Sequence, residues 1–289
     1  MGSRDCLPAY FSGEDLVQHL FQSWDSFSSS IRAASHILFL SDYDGTLTPI
    51  AGRPEEAFLS SGVKEKLRAL AERPAVSTGI ISGRRLSDVE ALVGIEGIYY
   101  AGNHGLEIGG PGFTFVNEAA KATQGEMKSL AEQFCSGLAG IQGIIVEDKG
   151  LSLSIHYRLV REREVEAASE ILGQITAPGL RARKIKVTSG KKVWEVRPPM
   201  SRYEGKAVMT LRKEIRSAFR PRQLVTIYLG DDETDEDAFR VTHRPQSWSI
   251  FIGPENASSS AEYSLNSPSE VEVFLSRLLE MEEGVASRG

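Results

Sequence analysis

The chain has 289 residues, 41% hydrophobic and 25% charged, with a formal net charge of −6 and a sequence pI near 5.6. At roughly 150 residues per domain, that length makes about two domains with a sizeable core. The acidic balance excludes nonspecific attraction to nucleic acid or to an anionic membrane surface, and leaves room for a local basic pocket. Cys6 and Cys135 are far apart and lack metal-ligand spacing, so neither a disulfide framework nor a zinc site is indicated and a reducing cytoplasm fits. No basic segment followed by a long apolar run opens the sequence, and no stretch approaches the roughly 18 apolar residues of a membrane span. The expectation is a cytoplasmic monomer that meets neither nucleic acid nor membrane.

Residues 1–35 read as a helical lead-in that packs on the core, with Leu16, Leu20, Phe21 and Trp24 at roughly helical spacing. The short apolar run Ile37-Leu38-Phe39-Leu40 then stops at polar residues and glycine, as a strand buried on both faces does. An amphipathic stretch through Val63, Leu67 and Leu70 follows, then the run Val76 to Ile81, a helix-like stretch through Leu86, Val89 and Val93, and Ile98-Tyr99-Tyr100. That alternation predicts a parallel sheet in an α/β domain. From about Pro111 the rhythm changes: a long helical pattern from Glu118, paired strands around Ile144 to Val146 and Leu151 to Tyr157, a further helix, then strands near Lys184 to Val187 and Val193 to Val196. This predicts an α+β insertion over 111–201 that interrupts one α/β domain formed by 36–110 and 202–289. The first rhythm returns with a helix from Gly205, the strand Leu224 to Leu229, the run Trp248 to Ile252 and a closing helix through Val271, Phe274 and Leu278.

Carboxylates gather where central strands end. Asp42-Tyr43-Asp44-Gly45-Thr46-Leu47 follows the first strand directly, placing two acids at the carboxyl edge of a parallel sheet, where open α/β sheets bind ligands. Gly230-Asp231-Asp232-Glu233-Thr234-Asp235-Glu236-Asp237 follows a later strand at the same predicted edge. Carboxylates that close repel and take up protons, whereas an oxygen-seeking Mg²⁺ neutralises them. The bland alternative is a solvated acidic turn capping the next helix. Ile80-Ile81-Ser82-Gly83-Arg84 offers a hydroxyl, a glycine that lets backbone approach and the free N–H groups of a helix start, which together suit phosphate oxygens. A plain N-cap explains Ser82 equally well. Gly102-Asn103-His104-Gly105 either orients a polar substrate or stabilises a turn.

Taken together, the chain resembles the haloacid dehalogenase (HAD) superfamily and, within it, the trehalose-6-phosphate phosphatases. The resemblance covers roughly residues 36 to 285 and rests on LSDYDGTLTPIAGRPEEA (40–57), GIISGRRLSDV (79–89), IYYAGNHGLEI (98–108), VEDKGLSLSIHYR (146–158), VWEVRPP (193–199) and YLGDDETDEDAFR (228–240). It implies a Rossmann-like core with a parallel sheet and an inserted α+β cap of the C2 type. It also implies hydrolysis of trehalose 6-phosphate in trehalose biosynthesis, with Asp42 as nucleophile and Asp44 as the acid and base that shuttles protons. Mg²⁺ would be held by the Asp42 carboxylate, the Asp44 backbone carbonyl and Asp231, with Asp235 as ligand or just behind it, and Ser82 would hydrogen-bond a phosphoryl oxygen. Arg84, Asn103 and His104 would face the substrate. Glu147, Lys149 and Glu195 match the family's sugar-recognising residues, with an ordinary cross-strand ion network as the alternative. A phosphatase of another glycosyl or polyol phosphate, and a weakly active sugar-phosphate-binding regulator, are the competing readings.

One position departs from the family pattern, which places a phosphate-steadying lysine immediately before the glycine of a KGxA element. Here the stretch reads Arg202-Tyr203-Glu204-Gly205-Lys206-Ala207, with Glu204 where lysine is expected. Lys206 lies about 200° further around an ideal helix and replaces the charge only if the turn is irregular, while Arg202 would have to reach in from the preceding loop.

Overall fold

A computed structural model describes residues 17–50, 56–199, 203–254 and 258–286, the stretch 282–286 by its backbone alone; Cys6, Leu16 and Arg202 lie outside the described residues. Along the chain the strands are β1 (Gln18–His19), β2 (His36–Asp42), β3 (Val76–Ile81), β4 (Tyr99–Gly102), β5 (Glu107–Gly110), β6 (Phe113–Val116), β7 (Ile145–Asp148), β8 (Leu153–His156), β9 (Lys186–Gly190), β10 (Val193–Arg197), β11 (Leu224–Gly230), β12 (Ser247–Ile252) and β13 (Tyr263–Leu265). The helices are α1 (Trp24–Ala33), α2 (Ser61–Ala71), α3 (Leu86–Val93), α4 (Glu118–Ala122), α5 (Gln124–Gly137), α6 (Glu162–Arg181), α7 (Tyr203–Phe219), α8 (Glu236–Phe239) and α9 (Pro268–Ala286).

β2 is apolar throughout because it is central and covered on both faces. Ile37 and Phe39 point into a core shared with α1, α2, α3 and α9, through Phe27, Leu67, Val89 and Phe274. Leu38 and Leu40 point into a second core with α7, through Val208, Leu211 and Ile215. This alternation is the period-2 geometry of a strand, and each fully buried side chain of this size contributes about 1.5–3 kcal/mol. The large sheet runs β1-β13-β12-β11-β2-β3-β4-β5-β6, parallel as far as β4 and antiparallel through the β4-β5-β6 edge. Its register sets Asp42 opposite Ile81, Ile81 opposite Ala101, and Leu229 opposite Ser41, so the central strands end level and their following loops meet at one edge.

The inserted unit is a four-stranded antiparallel sheet, β7-β8-β10-β9. One face packs Leu153, Ile155, Trp194 and Val196 against Leu130, Phe134 and Leu172 of α5 and α6. The other face carries polar groups: Glu147 and Glu195 both stand opposite Ser154 across the ladder.

Two details differ from the sequence reading. β6 extends the large sheet past residue 111, where the rhythm changes, because Phe113 and Phe115 pack on the second core. The lead-in holds a helix over Trp24–Ala33, but of the residues whose spacing suggested it only Trp24 is in that helix: Leu20 and Phe21 form a 3-10 turn, and Gln18–His19 is extended and pairs with Tyr263 and Ser264 at the sheet edge.

Candidate active site

The chain leaves β2 through Gly45, at φ +96°, where a Cβ would fall onto the Asp231 carboxylate. Glycine thus lets the first acidic loop lie against the second. Carboxylate oxygens of Asp42, Asp231 and Asp235 all lie within 4.8 Å of one another, and Asp42 Oδ2 is buried with no hydrogen-bond partner. Burial first, then the charges of Asp231 and Glu204, push Asp42 well above the ordinary carboxylate range. Burial likewise raises Asp235, with Glu204 adding to it, and raises Asp231 to about 6 against the opposing pull of Lys191. Oxygens held this way take up either protons or a cation, and an all-oxygen set of this kind suits Mg²⁺. Asp235 also organises the loop, accepting from the backbone N–H groups of Asp231 at 2.8 Å and Asp232 at 3.0 Å and from the Tyr228 hydroxyl at 2.6 Å.

Asp44 is gripped by Arg84, whose Nε and Nη2 donate to its two carboxylate oxygens at 2.8 and 2.6 Å. The fork fixes the carboxylate's direction, so Arg84 reaches the site through Asp44. Ser82 is buried and its Oγ accepts from the Arg84 N–H at 3.2 Å. The N-cap position of α3 is Arg85, which makes no side-chain cap bond, so the N-cap explanation of Ser82 does not apply.

Asn103 and His104 both adopt left-handed backbone, at φ 51° and 58°. Such strain persists only where the surroundings over-determine it. For Asn103 they do: its amide donates to Glu107 at 2.7 Å and to the Lys149 carbonyl at 3.2 Å, and its oxygen accepts from Ser152 at 2.5 Å. With both amide N–H groups donating and its oxygen accepting from Ser152, Asn103 braces the inserted unit on the core and does not line the cleft. His104 Nε2 sits 2.8 Å from Arg197 Nη2, and a guanidinium only donates, so Nε2 accepts and Nδ1–H donates to Glu204 Oε1 at 2.7 Å. Burial, reinforced by Arg197, lowers His104 to about 4 and keeps it neutral.

Glu204 is therefore an acceptor in a closed network. It is 2% exposed and takes hydrogen bonds from His104 and, at 2.8 Å, from the Thr234 hydroxyl. Burial would raise it, but the His104 hydrogen bond and charge hold it below the ordinary range. Lys206 is exposed on α7 and does not line the cleft, so the structure does not bring it to the acids.

The polar face of the small sheet and the carboxyl edge of the large one enclose a cleft of about 1170 Å³. Glu147, Lys149 and Glu195 all line it. Lys149 donates to the Gly83 carbonyl at 2.7 Å and stands 3.8 Å from Glu195, and Glu147 pairs with His156 Nε2 at 2.8 Å. Arg197, His156 and Lys191 also line the cleft; the first two fall within the quoted motifs without being given a role there, and Lys191 lies outside them. Arg197 carried a usable signal, being two residues from Glu195 and so on the same strand face; Lys191, in a hairpin turn, carried none.

A parallel α/β sheet with acids at its carboxyl edge and an inserted unit over them is the fold of the HAD-like hydrolases. A solved haloacid dehalogenase-like hydrolase from Bacteroides thetaiotaomicron matches this fold with a TM-score of 0.57 and 14% identity, covering 84% of this chain and 99% of that one. Within that class the chain belongs to the trehalose-phosphatase family, whose model matches residues 40–269. It is 33% identical over 269 residues to trehalose-phosphate phosphatase B of Arabidopsis thaliana, spanning 89% of this chain and 70% of that protein. The C-terminal domain of Candida albicans trehalose-6-phosphate phosphatase shares the fold with a TM-score of 0.74 and 24% identity, covering 93% of this chain and 99% of that one.

Proposed function

We propose that this protein is a Mg²⁺-dependent phosphatase that hydrolyses trehalose 6-phosphate to trehalose and phosphate, in trehalose biosynthesis. The observation that carries the reading is the buried, unpartnered oxygen of Asp42 among three converging carboxylates, across one cleft from the polar strand face of the cap. Asp42 attacks phosphorus and the bond to the sugar oxygen breaks, while Asp44, aimed by Arg84, gives that oxygen a proton. Asp44 then takes a proton from the water that attacks the aspartyl phosphate, releasing phosphate and restoring Asp42. Ser82 Oγ accepts from Arg84, which leaves its hydroxyl proton for a phosphoryl oxygen. Asp42, Asp231 and the Asp44 backbone carbonyl would hold Mg²⁺, with Asp235 beside or behind them; the ion neutralises the acids and the phosphoryl charge. Glu147, Lys149 and Glu195 would hold the sugar hydroxyls. Among the described residues no helix is long and apolar enough to cross a membrane; the cysteine usage suggests a cytoplasmic setting. Asp42→Asn and Asp231→Asn are expected to abolish turnover while keeping a cooperative thermal melt; turnover that survives chelation, or an active Asp42→Asn protein, refutes this assignment.

A further inference from the structure

Glu204 removes the lysine that would steady the phosphate, yet the cleft holds several cations. Among those close to the acids, Arg84 is committed to Asp44, and Arg197 to His104 and Glu195. Lys149 is tied to the Gly83 carbonyl. Lys191 is paired as well, to Asp231, but its side chain is far more exposed to the cleft than those of the other three. It sits in the turn between β9 and β10, on the cap, and crosses the cleft so that its Nζ lies 2.9 Å from Asp231 Oδ2, at the margin of the three-acid cluster. Its side chain is 57% exposed while that of Asp231 is 8% exposed, so the ammonium lies on the cleft side of the acids, where a phosphate would enter. The turn is built to hold it there: Arg158 Nη2 donates to the Lys191 carbonyl at 3.1 Å, and the Tyr157 N–H donates to the Lys192 carbonyl at 3.1 Å.

We propose that Lys191 is the phosphate-steadying cation of this enzyme, delivered by the cap in place of the lysine expected at position 204. Its three N–H donors meet phosphoryl oxygens and keep their protons throughout, while the Asp42–phosphorus bond forms and the sugar–phosphorus bond breaks. Two consequences follow from its position. The charge reaches the phosphate only with the cap seated over the core, so docking of the sugar-binding face and completion of the phosphate site become one event. The buried residue at 204 is in turn released from the phosphate and serves His104 and Thr234. The inference rests on the phosphatase reading above and deepens it.

The test uses the full chain loaded with Mg²⁺ and compares wild type, Lys191→Ala, Lys191→Arg and the neighbouring Lys192→Ala. Steady-state kinetics on trehalose 6-phosphate and on p-nitrophenyl phosphate are combined with calorimetric binding of inorganic phosphate. Lys191→Ala is expected to lose about 10²-fold in kcat/KM on both substrates and to weaken phosphate binding about tenfold or more. Lys191→Arg should recover much of the binding, and Lys192→Ala should behave as wild type. The proposal is overturned if Lys191→Ala matches wild type, or if its loss is confined to trehalose 6-phosphate with phosphate affinity unchanged, which makes Lys191 a cap latch. The two readings fail separately. A wild type that splits only the aryl ester refutes the substrate and leaves the Lys191 comparison intact. If neither ester is split, phosphate binding by Lys191→Ala still decides the cation.

Discussion

Glu204 acts through what it accepts. Replacing it by alanine leaves His104 Nδ1–H without an acceptor in a buried site, which costs about 1–3 kcal/mol, whereas the Thr234 hydroxyl keeps Asp232 Oδ1 at 2.7 Å. Glu204→Gln keeps a carbonyl acceptor and should cost clearly less; equal losses in urea unfolding would contradict the network. His104 gives the site a pH signature. It faces Glu204 from α7, Glu195 and Arg197 from β10, and Lys149, and its pKa falls from 6.5 to about 4 on folding, mainly through burial. Between those values the unfolded chain binds the proton more readily than the native one. The stabilisation is therefore complete above about 6.5 and is lost as pH falls towards about 4. Melting temperature should drop across this window in wild type and drop less in His104→Gln. An identical slope in both proteins would show that His104 titrates normally.

Elements differ in how far the sequence specifies them. β2 and β11 were legible because strands buried on both faces read as unbroken apolar runs, and their acidic ends were legible because Asp42-Tyr43-Asp44 and the run from Asp231 are contiguous. β1 and β13 were not: strands of two and three residues are defined by their pairing and are too short to carry a periodic pattern. The lead-in helix α1 was legible as packing, and the structure shows why. Phe27 is fully buried, with ring centroids 5.0 Å from Trp248 and 5.5 Å from Phe274. Phe27→Ala should cost about 3–5 kcal/mol without changing KM at low temperature, a result denaturant melts and kinetics can check together. The strand face of the cap makes the opposite prediction. Glu147→Ala, Lys149→Ala and Glu195→Ala should impair hydrolysis of trehalose 6-phosphate far more than that of an aryl phosphate, which has no sugar hydroxyls to hold. Equal losses on both esters would remove these residues from sugar recognition.

At the scale of the whole molecule, the site is assembled from loops that are distant in the chain, and that is the part the sequence did not show. Glu204 meets His104 across 100 residues, Arg197 meets the same ring across 93, and Lys191 meets Asp231 across 40. Motif spacing reports which acids are present; only the fold reports which cations face them. The crowded acids also link metal to stability. Mg²⁺ bound only by the native state should raise the melting temperature in a concentration-dependent way, and Asp231→Asn should weaken that rise. The substrate and metal dependence are measured together by phosphate release from a panel of trehalose 6-phosphate, sucrose 6-phosphate, glucose 6-phosphate and glucosylglycerol phosphate, each with Mg²⁺ and with chelator. Release from trehalose 6-phosphate should be far faster than from the others, and absent under chelation. Preference for another ester, or release that persists without the metal, would contradict the proposed function.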